Sequence, residues 1–430
     1  MAKLKDFRLQ VFKFEMYGFL KNLRFFEPYL IIYLTVSGLT LFQVGLLISI
    51  REIIIYIFEI PSGVIADMYG KKVELIICFI FYIISFLLFF IAGGAFWIFA
   101  LAMILFGLGE AFRSGTHKSM IMSFLDHNEI KASKTKVYGQ TRAMSLIGSM
   151  VMSLIPIGLF FFIPELLNEI RWLFLLSIIP YVLDMILIAS YPKYLNERRE
   201  VSFNLKSFLK QNVESIKYTF KDRFVRRIVF DEALYQAGYK SIKDYVQPLI
   251  IALSVGAGLV AFTNYSQDEN LKIYLGIIYA IIYLISSLAS RYAYKVAKKA
   301  NHFDLANIMW FMSAAIAIVL SFFLDNLFVI FGSFVLIYVF INLRKPVMVQ
   351  EIGNASDTTK RASVLSIEAQ LSSLLLVIFA PIIGALADYD MQLMFWVVGG
   401  IMMFIFLFNQ LWNFKVLKKH QKELKENSPS

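Results

Sequence analysis

Long apolar runs alternate along the chain with short polar interruptions. Each run approaches the roughly 20 residues that a helix needs to cross a ~30 Å hydrocarbon layer. Twelve such runs are read at about 15–36, 43–65, 73–92, 96–117, 138–162, 171–191, 229–254, 271–290, 305–324, 327–348, 363–386 and 393–414. The pattern predicts an all-α integral membrane protein with twelve transmembrane helices in two pseudo-symmetric six-helix bundles. The expected units are 1–191 for the first bundle, 192–228 for a cytoplasmic amphipathic linker, 229–414 for the second bundle and 415–430 for a cytoplasmic tail.

Composition agrees with a life in lipid: 59% of the 430 residues are hydrophobic and only 17% are charged. The net charge of +11 would fit nucleic acid, but its distribution excludes that reading. With both termini in the cytoplasm, most Lys and Arg fall in cytoplasmic segments and none in the outside loops, which carry Glu165, Glu169, Asp268, Glu269, Asp325, Asp388 and Asp390 instead. This is the positive-inside pattern. The expected location is a cytoplasmic membrane, multi-pass and prokaryotic in character. The N-terminus shows no cleavable signal, so the first helix is expected to remain as an anchor. The single cysteine, Cys78, forbids an intramolecular disulfide, and four scattered histidines show no metal-ligand spacing. No metal, cofactor or catalytic residue is expected.

The two halves read as copies of one unit. "FFEPYLII" at 25–32 aligns with "YVQPLIIA" at 245–252 at an offset of 220, so that Gly18 meets Gly238 and Pro28 meets Pro248. Six-helix repeats with a site between them are a recurring transporter plan. The connector at 192–228 holds ten Lys or Arg, yet Leu205, Phe208, Leu209, Val213, Ile216 and Phe220 recur at helical spacing, as in an interfacial helix.

Between the second and third runs stands "GVIADMYGKK", residues 63–72. It resembles motif A of the major facilitator superfamily, G-x-L-A-D-x-x-G-R-K, through Gly63, Ala66, Asp67, Gly70, Lys71 and Lys72. The resemblance implies the twelve-helix fold of that superfamily, with multidrug exporters as the nearest general likeness, and a monomer. It also implies a gating role for Gly63, Asp67, Gly70, Lys71 and Lys72, whose acidic and basic members close the cytoplasmic side in the outward-facing state. The second-half counterpart "LASRYAYKVAKK" has Arg291 where the acid would align. Met103 stands where drug antiporters tend to carry arginine, and "GSMVMSLIPIG" lacks their tight Gly-Pro pattern.

Charges inside the apolar runs point to the site, because an unpaired charge at mid-bilayer costs about 2.5 to 3.5 kcal/mol or more. On a continuous helix Tyr17, Lys21, Arg24 and Glu27 share a face of about 120°. Glu232, Gln236, Lys240, Lys243 and Gln247 form a stripe about 80° wide, with Asp244 at its flank. These residues are the expected substrate cavity, with Arg24 and Asp244 pairing across it in one transport state. Further charges are Arg51, Glu52, Glu59, Glu110, Arg113 and Glu368. Glu110 and Arg113, three apart, are expected to pair on their own helix. Glu27, Glu52, Glu232 and Glu368 are candidate proton carriers, Glu27 the preferred one.

The expected activity is secondary active transport of a small organic solute by alternating access, coupled to protons, with efflux of amphipathic compounds first. A carrier of an organic anion or zwitterionic metabolite is the alternative, and a non-transporting receptor or lipid enzyme the remote one. No phosphate-binding loop signature supports ATP hydrolysis.

Overall fold

The computed structural model describes residues 2–113, 116–127, 134–163, 169–196, 217–257, 267–299, 302–356 and 361–426. Among them are fifteen α-helices: α1 (Ala2–Leu20), α2 (Leu30–Val36), α3 (Leu41–Tyr69), α4 (Lys71–Ile91), α5 (Phe96–Arg113), α6 (Thr116–His127), α7 (Lys134–Phe162), α8 (Trp172–Ala189), α9 (Arg223–Ile242), α10 (Val246–Ala257), α11 (Gln267–Lys299), α12 (His302–Phe322), α13 (Leu327–Ala355), α14 (Arg361–Tyr389) and α15 (Met391–Glu426). Ten of these, α3 to α5, α7, α8 and α11 to α15, are long and apolar enough to cross a membrane.

The remaining two of the twelve expected spans are broken. The first consists of α1, a non-helical stretch, a 3-10 turn at Glu27–Tyr29 and α2; the seventh consists of α9, a short break at 243–245 and α10. Both breaks directly precede the aligned Pro28 and Pro248, where a missing amide hydrogen and ring clash oppose a continuous ladder. The assumption of an unbroken helix therefore fails at Lys21, Arg24 and Asp244. Exposed backbone at that depth is tolerated where it lines a cavity or is held by neighbouring side chains.

The two bundles repeat each other's contacts. α1 packs on α7 as α9 packs on α14; α4 on α8 as α12 on α15; α3 on α5 as α11 on α13. Between the bundles α3 meets α14 and α7 meets α11, again as a related pair. Helix starts are set by local chemistry. Thr40 and Gln43 form a capping box for α3, Asp222 caps α9 and Asn326 caps α13.

The second-to-third connection is tighter than a ten-residue loop. α3 runs through Gly63 and Asp67 to Tyr69, Gly70 alone makes the turn at φ +98°, and Lys71 opens α4. A side chain on Gly70 would sit 2.4 Å from Asn196 Oδ1, so both conformation and space require glycine. The fourth span ends at Arg113, and a separate α6 follows. The linker stretch 197–216 lies outside the described residues, while the helical backbone of α15 continues to Glu426.

Candidate functional site

A cavity of about 390 Å³ lies between the bundles, lined by 26 residues of which eleven are charged. The first bundle contributes Arg24, Glu27, Arg51, Glu52, Glu59 and Glu110; the second contributes Lys240, Lys243, Asp244, Lys345 and Glu368. Gln236 and Gln247 line it too, and Phe26, Phe89, Met103 and Phe106 form part of an apolar wall. Of the proton-carrier candidates, Glu27, Glu52 and Glu368 face one space, and Glu232 does not line it.

One end of this space is sealed. A Cβ on Gly45 would lie 2.3 Å from Ala380 O, and one on Gly384 2.3 Å from Leu41 O, so α3 and α14 are in backbone contact there. The Asp388 carboxylate crosses the seam to accept the first two amide hydrogens of α3, from Leu41 at 2.8 Å and Phe42 at 2.7 Å. Ile31 N–H donates to Gln247 Oε1 (2.9 Å), Tyr29 OH to Lys272 O (3.1 Å) and Ser49 OH to Val377 O (2.7 Å). Farther along, the Ser373 hydroxyl donates across the bundles to Glu52 Oε2 at 2.9 Å. Beyond it the cavity wall continues past Ile55 to Glu59 on α3.

Inside the cavity most charges are neutralised within their own bundle. Arg24 donates to Glu110 (2.5 Å) and to the Tyr181 hydroxyl (2.5 Å), while Arg113 holds the other Glu110 oxygen (2.5 Å) and reaches Tyr82 OH (3.1 Å). Glu110 and Arg113 pair within one helix as their spacing predicts. Arg51 pairs with Glu52 at 2.9 Å. Asp244 accepts from Lys243 at 2.6 Å and from the Tyr279 and Tyr338 hydroxyls at 3.3 and 3.4 Å. Arg24 and Asp244 face the same cavity but do not pair in this conformation; each is held by its own bundle. Lys240 and Glu368 make no ion pair among the described residues, and Lys345 donates to Gln236 at 3.2 Å.

Three expected cavity residues lie elsewhere. Glu232 is fully buried below the cavity, where it accepts from Arg344 Nε at 2.9 Å and from Gln236 at 2.9 Å. Tyr17 is buried against the His117 ring, centroids 3.5 Å apart, and Lys21 lies over the Tyr17 ring at 5.3 Å. Neither lines the cavity. Of the motif A residues, Lys72 donates to Ala189 O (2.8 Å) and Tyr191 O (2.7 Å), capping the C-terminus of α8, and Lys71 reaches Ser123 at 3.2 Å. These contacts stay within the first bundle.

Sequence reasoning missed Lys345 in the cavity, Arg344 with its partner Asp231, and Asp184. Arg344 is fully buried, bonded to Asp231, Glu232 and Ala306 O, with Trp310 and Asn409 completing the shell of Asp231. The signal was present, since Arg344–Lys345 and Asp184 interrupt otherwise apolar spans.

Two six-helix bundles around a charged central cavity, each with its first span broken, define a helical membrane transporter fold. Residues 22–348 match the family model described as Major Facilitator Superfamily, and the chain belongs to that family. A Bacillus subtilis (strain 168) protein described as "Uncharacterized MFS-type transporter YxaM" is 28% identical over 228 residues, 52% of this chain and 54% of that protein. The match thus spans about half the length of that relative. Among solved structures, a single-site mutant of the nucleoside transporter NupG superposes with TM-score 0.77 at 11% identity, covering 93% of this chain and 99% of that one. A D-xylose-proton symporter gives 0.66 at 15% identity, covering 93% and 95%. A mutant of the peptide transporter POT, in complex with sulfate, gives 0.71 at 12% identity, covering 95% and 94%. At these identities the likeness is one of fold.

Proposed function

We propose that the protein is a proton-coupled secondary transporter that moves a small organic solute bearing both charges across the cytoplasmic membrane by alternating access. The observation that carries this reading is the single cavity between the bundles, lined by five cations and six carboxylates drawn from both halves. With the termini in the cytoplasm, the sealed end at Asp388 is the outer one, and this conformation is closed to the outside. A solute touching both bundles has differential contacts in the two states, which is the physical requirement for shifting the equilibrium between them.

The Lys240 ammonium is the anchor for the solute's anionic group, because Lys243 is already neutralised by Asp244. Glu368 takes the cationic group or the coupling proton. Such a lining suits a zwitterionic or anionic metabolite better than a lipophilic cation. The apolar wall of Phe26, Phe89, Met103 and Phe106 supports the second reading, efflux of amphipathic compounds, with the ring faces receiving the nonpolar part.

Thermal stability of the purified protein against panels of zwitterions, organic anions and lipophilic cations tests this, since a ligand of the folded state raises apparent stability by mass action. The reading expects a shift with zwitterions or anions that Lys240→Ala abolishes and Lys243→Ala retains. A shift with lipophilic cations alone, unchanged in Lys240→Ala, would replace it with the efflux reading.

A further inference from the structure

A second group of buried polar side chains, Tyr17, His117, Asp184 and Tyr191, lies inside the first bundle, and none of them lines the cavity. α8 runs antiparallel to the first span and meets it in register. Ser177 Oγ accepts from Phe25 N–H (3.0 Å), Tyr181 OH donates to Lys21 O (2.9 Å), and Tyr191 OH donates to Lys13 O (3.4 Å). One turn beyond Tyr181, that register sets Asp184 opposite Tyr17. Asp184 is fully buried, and among the described residues neither of its oxygens has a hydrogen-bond partner; the buried Tyr17 hydroxyl also has none there.

The neighbouring polar groups are committed elsewhere or make no hydrogen bond to Asp184. Arg113 from α5 is held by Glu110 and Tyr82. His117 from α6 is stacked on Tyr17, with its Nε2 at 3.1 Å from Tyr191 OH. Cys78 from α4 donates to Gly109 O at 3.1 Å. Lys21, the residue just past the end of α1, makes no ion pair among the described residues, and its carbonyl is held by Tyr181, one turn from Asp184. A buried carboxylate without a donor is among the costliest arrangements in a membrane interior, and a proton removes that cost.

We propose that Asp184 is a proton-binding site of the first bundle, distinct from the cavity carboxylates, which is protonated in this conformation and pairs with the Lys21 ammonium once it releases the proton. The neutral carboxyl becomes a carboxylate, Lys21 stays an ammonium, and the proton leaves past Tyr17 and the His117–Tyr191 pair toward the cytoplasmic end. The movement of Lys21 is transmitted to the cavity because Tyr181 holds both the Lys21 carbonyl and the Arg24 guanidinium (2.5 Å). The site stands on the packing of the first bundle and needs no particular solute.

Infrared spectroscopy of the lipid-reconstituted protein tests it without a solute. Wild-type protein grown with carboxyl-13C aspartate is expected to show an isotope-shifted C=O stretch of a protonated aspartic acid. The cavity candidates Glu27, Glu52 and Glu368 are glutamates, so the label separates them from Asp184. The band is expected to vanish in Asp184→Asn, to persist in Glu368→Gln, and in Lys21→Met to survive to higher pH than in wild type. Asp184→Asn is expected to keep wild-type thermal stability. No isotope-shifted band, or a band unchanged in Asp184→Asn, overturns the proposal. So does destabilisation of Asp184→Asn that Lys21→Met relieves, because that marks a standing ion pair. Should Asp184→Asn fail to fold, Asp184→Glu takes its place: the isotope-shifted band is expected to vanish in it, and a band unchanged in Asp184→Glu overturns the proposal.

Discussion

Asp388 spans the seam that closes the cavity, and replacing it with alanine should loosen that end selectively. Its two oxygens accept the Leu41 and Phe42 amides, two of the donors that a helix N-terminus leaves without partners. Hydrogen bonds to a charged group contribute about 1.5 to 3 kcal/mol each when buried. Asp388 is exposed, and water replaces part of what is lost, so the pair is discounted to about 1 to 2 kcal/mol in total. Because the bonds join the two bundles, that loss falls on the closed-outside state alone. At 1.4 kcal/mol per decade, the outward-open population rises about 5- to 30-fold.

Val44, buried at the sealed end, supplies the reporter: in Val44→Cys, alkylation by a membrane-impermeant maleimide from outside follows the outward-open population. The native Cys78 is fully buried and contributes no background. Thr40→Ala is the control. Its hydroxyl caps α3 from within the first bundle, so its loss costs about 1 kcal/mol of helix stability in both states and leaves the alkylation rate unchanged. Equal rates in Asp388→Ala and wild type, or equal increases in Asp388→Ala and Thr40→Ala, would refute the assignment of this seam as the outer gate.

Three further outcomes follow from the packing. Gly384→Ala places a Cβ against the α3 backbone and should raise the same alkylation rate, whereas Gly400→Ala, which meets nothing within 4 Å, should not. Glu110→Gln leaves the Arg24 and Arg113 guanidinium groups without their shared carboxylate; breaking a buried pair costs about 3 to 5 kcal/mol, and residual solvent access lowers this to roughly 2 to 3, readable as a fall in melting temperature. Arg344→Lys should destabilise the second bundle by about 2 to 4 kcal/mol in thermal unfolding, since one ammonium cannot reproduce the fork that holds Asp231, Glu232 and Ala306 O together.

Hydrophobic periodicity carried most of the fold, because each span needs its own apolar length and the positive loops mark one side. It failed where a span is not one helix. At Lys21 to Phe26 and at 243–245 the chain looks helical by composition, and only the aligned prolines hint at the break. The helical wheel therefore put Tyr17 and Lys21 beside Arg24, whereas the break turns Arg24 to the cavity and leaves Tyr17 inside the bundle. Pair partners were legible only when local. Glu110 and Arg113 lie one turn apart, but Arg344 and Asp231 lie on different helices 113 positions apart, and nothing in one sequence joins them. Motif A marked its turn, yet the contacts of Lys72 with the end of α8 follow from packing.

The central claim is coupled transport through the charged cavity, and solute-driven proton movement in proteoliposomes tests it most directly. With the best-stabilising zwitterion or anion added and a pH indicator trapped inside, the account predicts solute-dependent proton flux that Lys240→Ala abolishes. Saturable binding of that solute without flux of either solute or protons would contradict it and mark the protein as a receptor on a transporter fold.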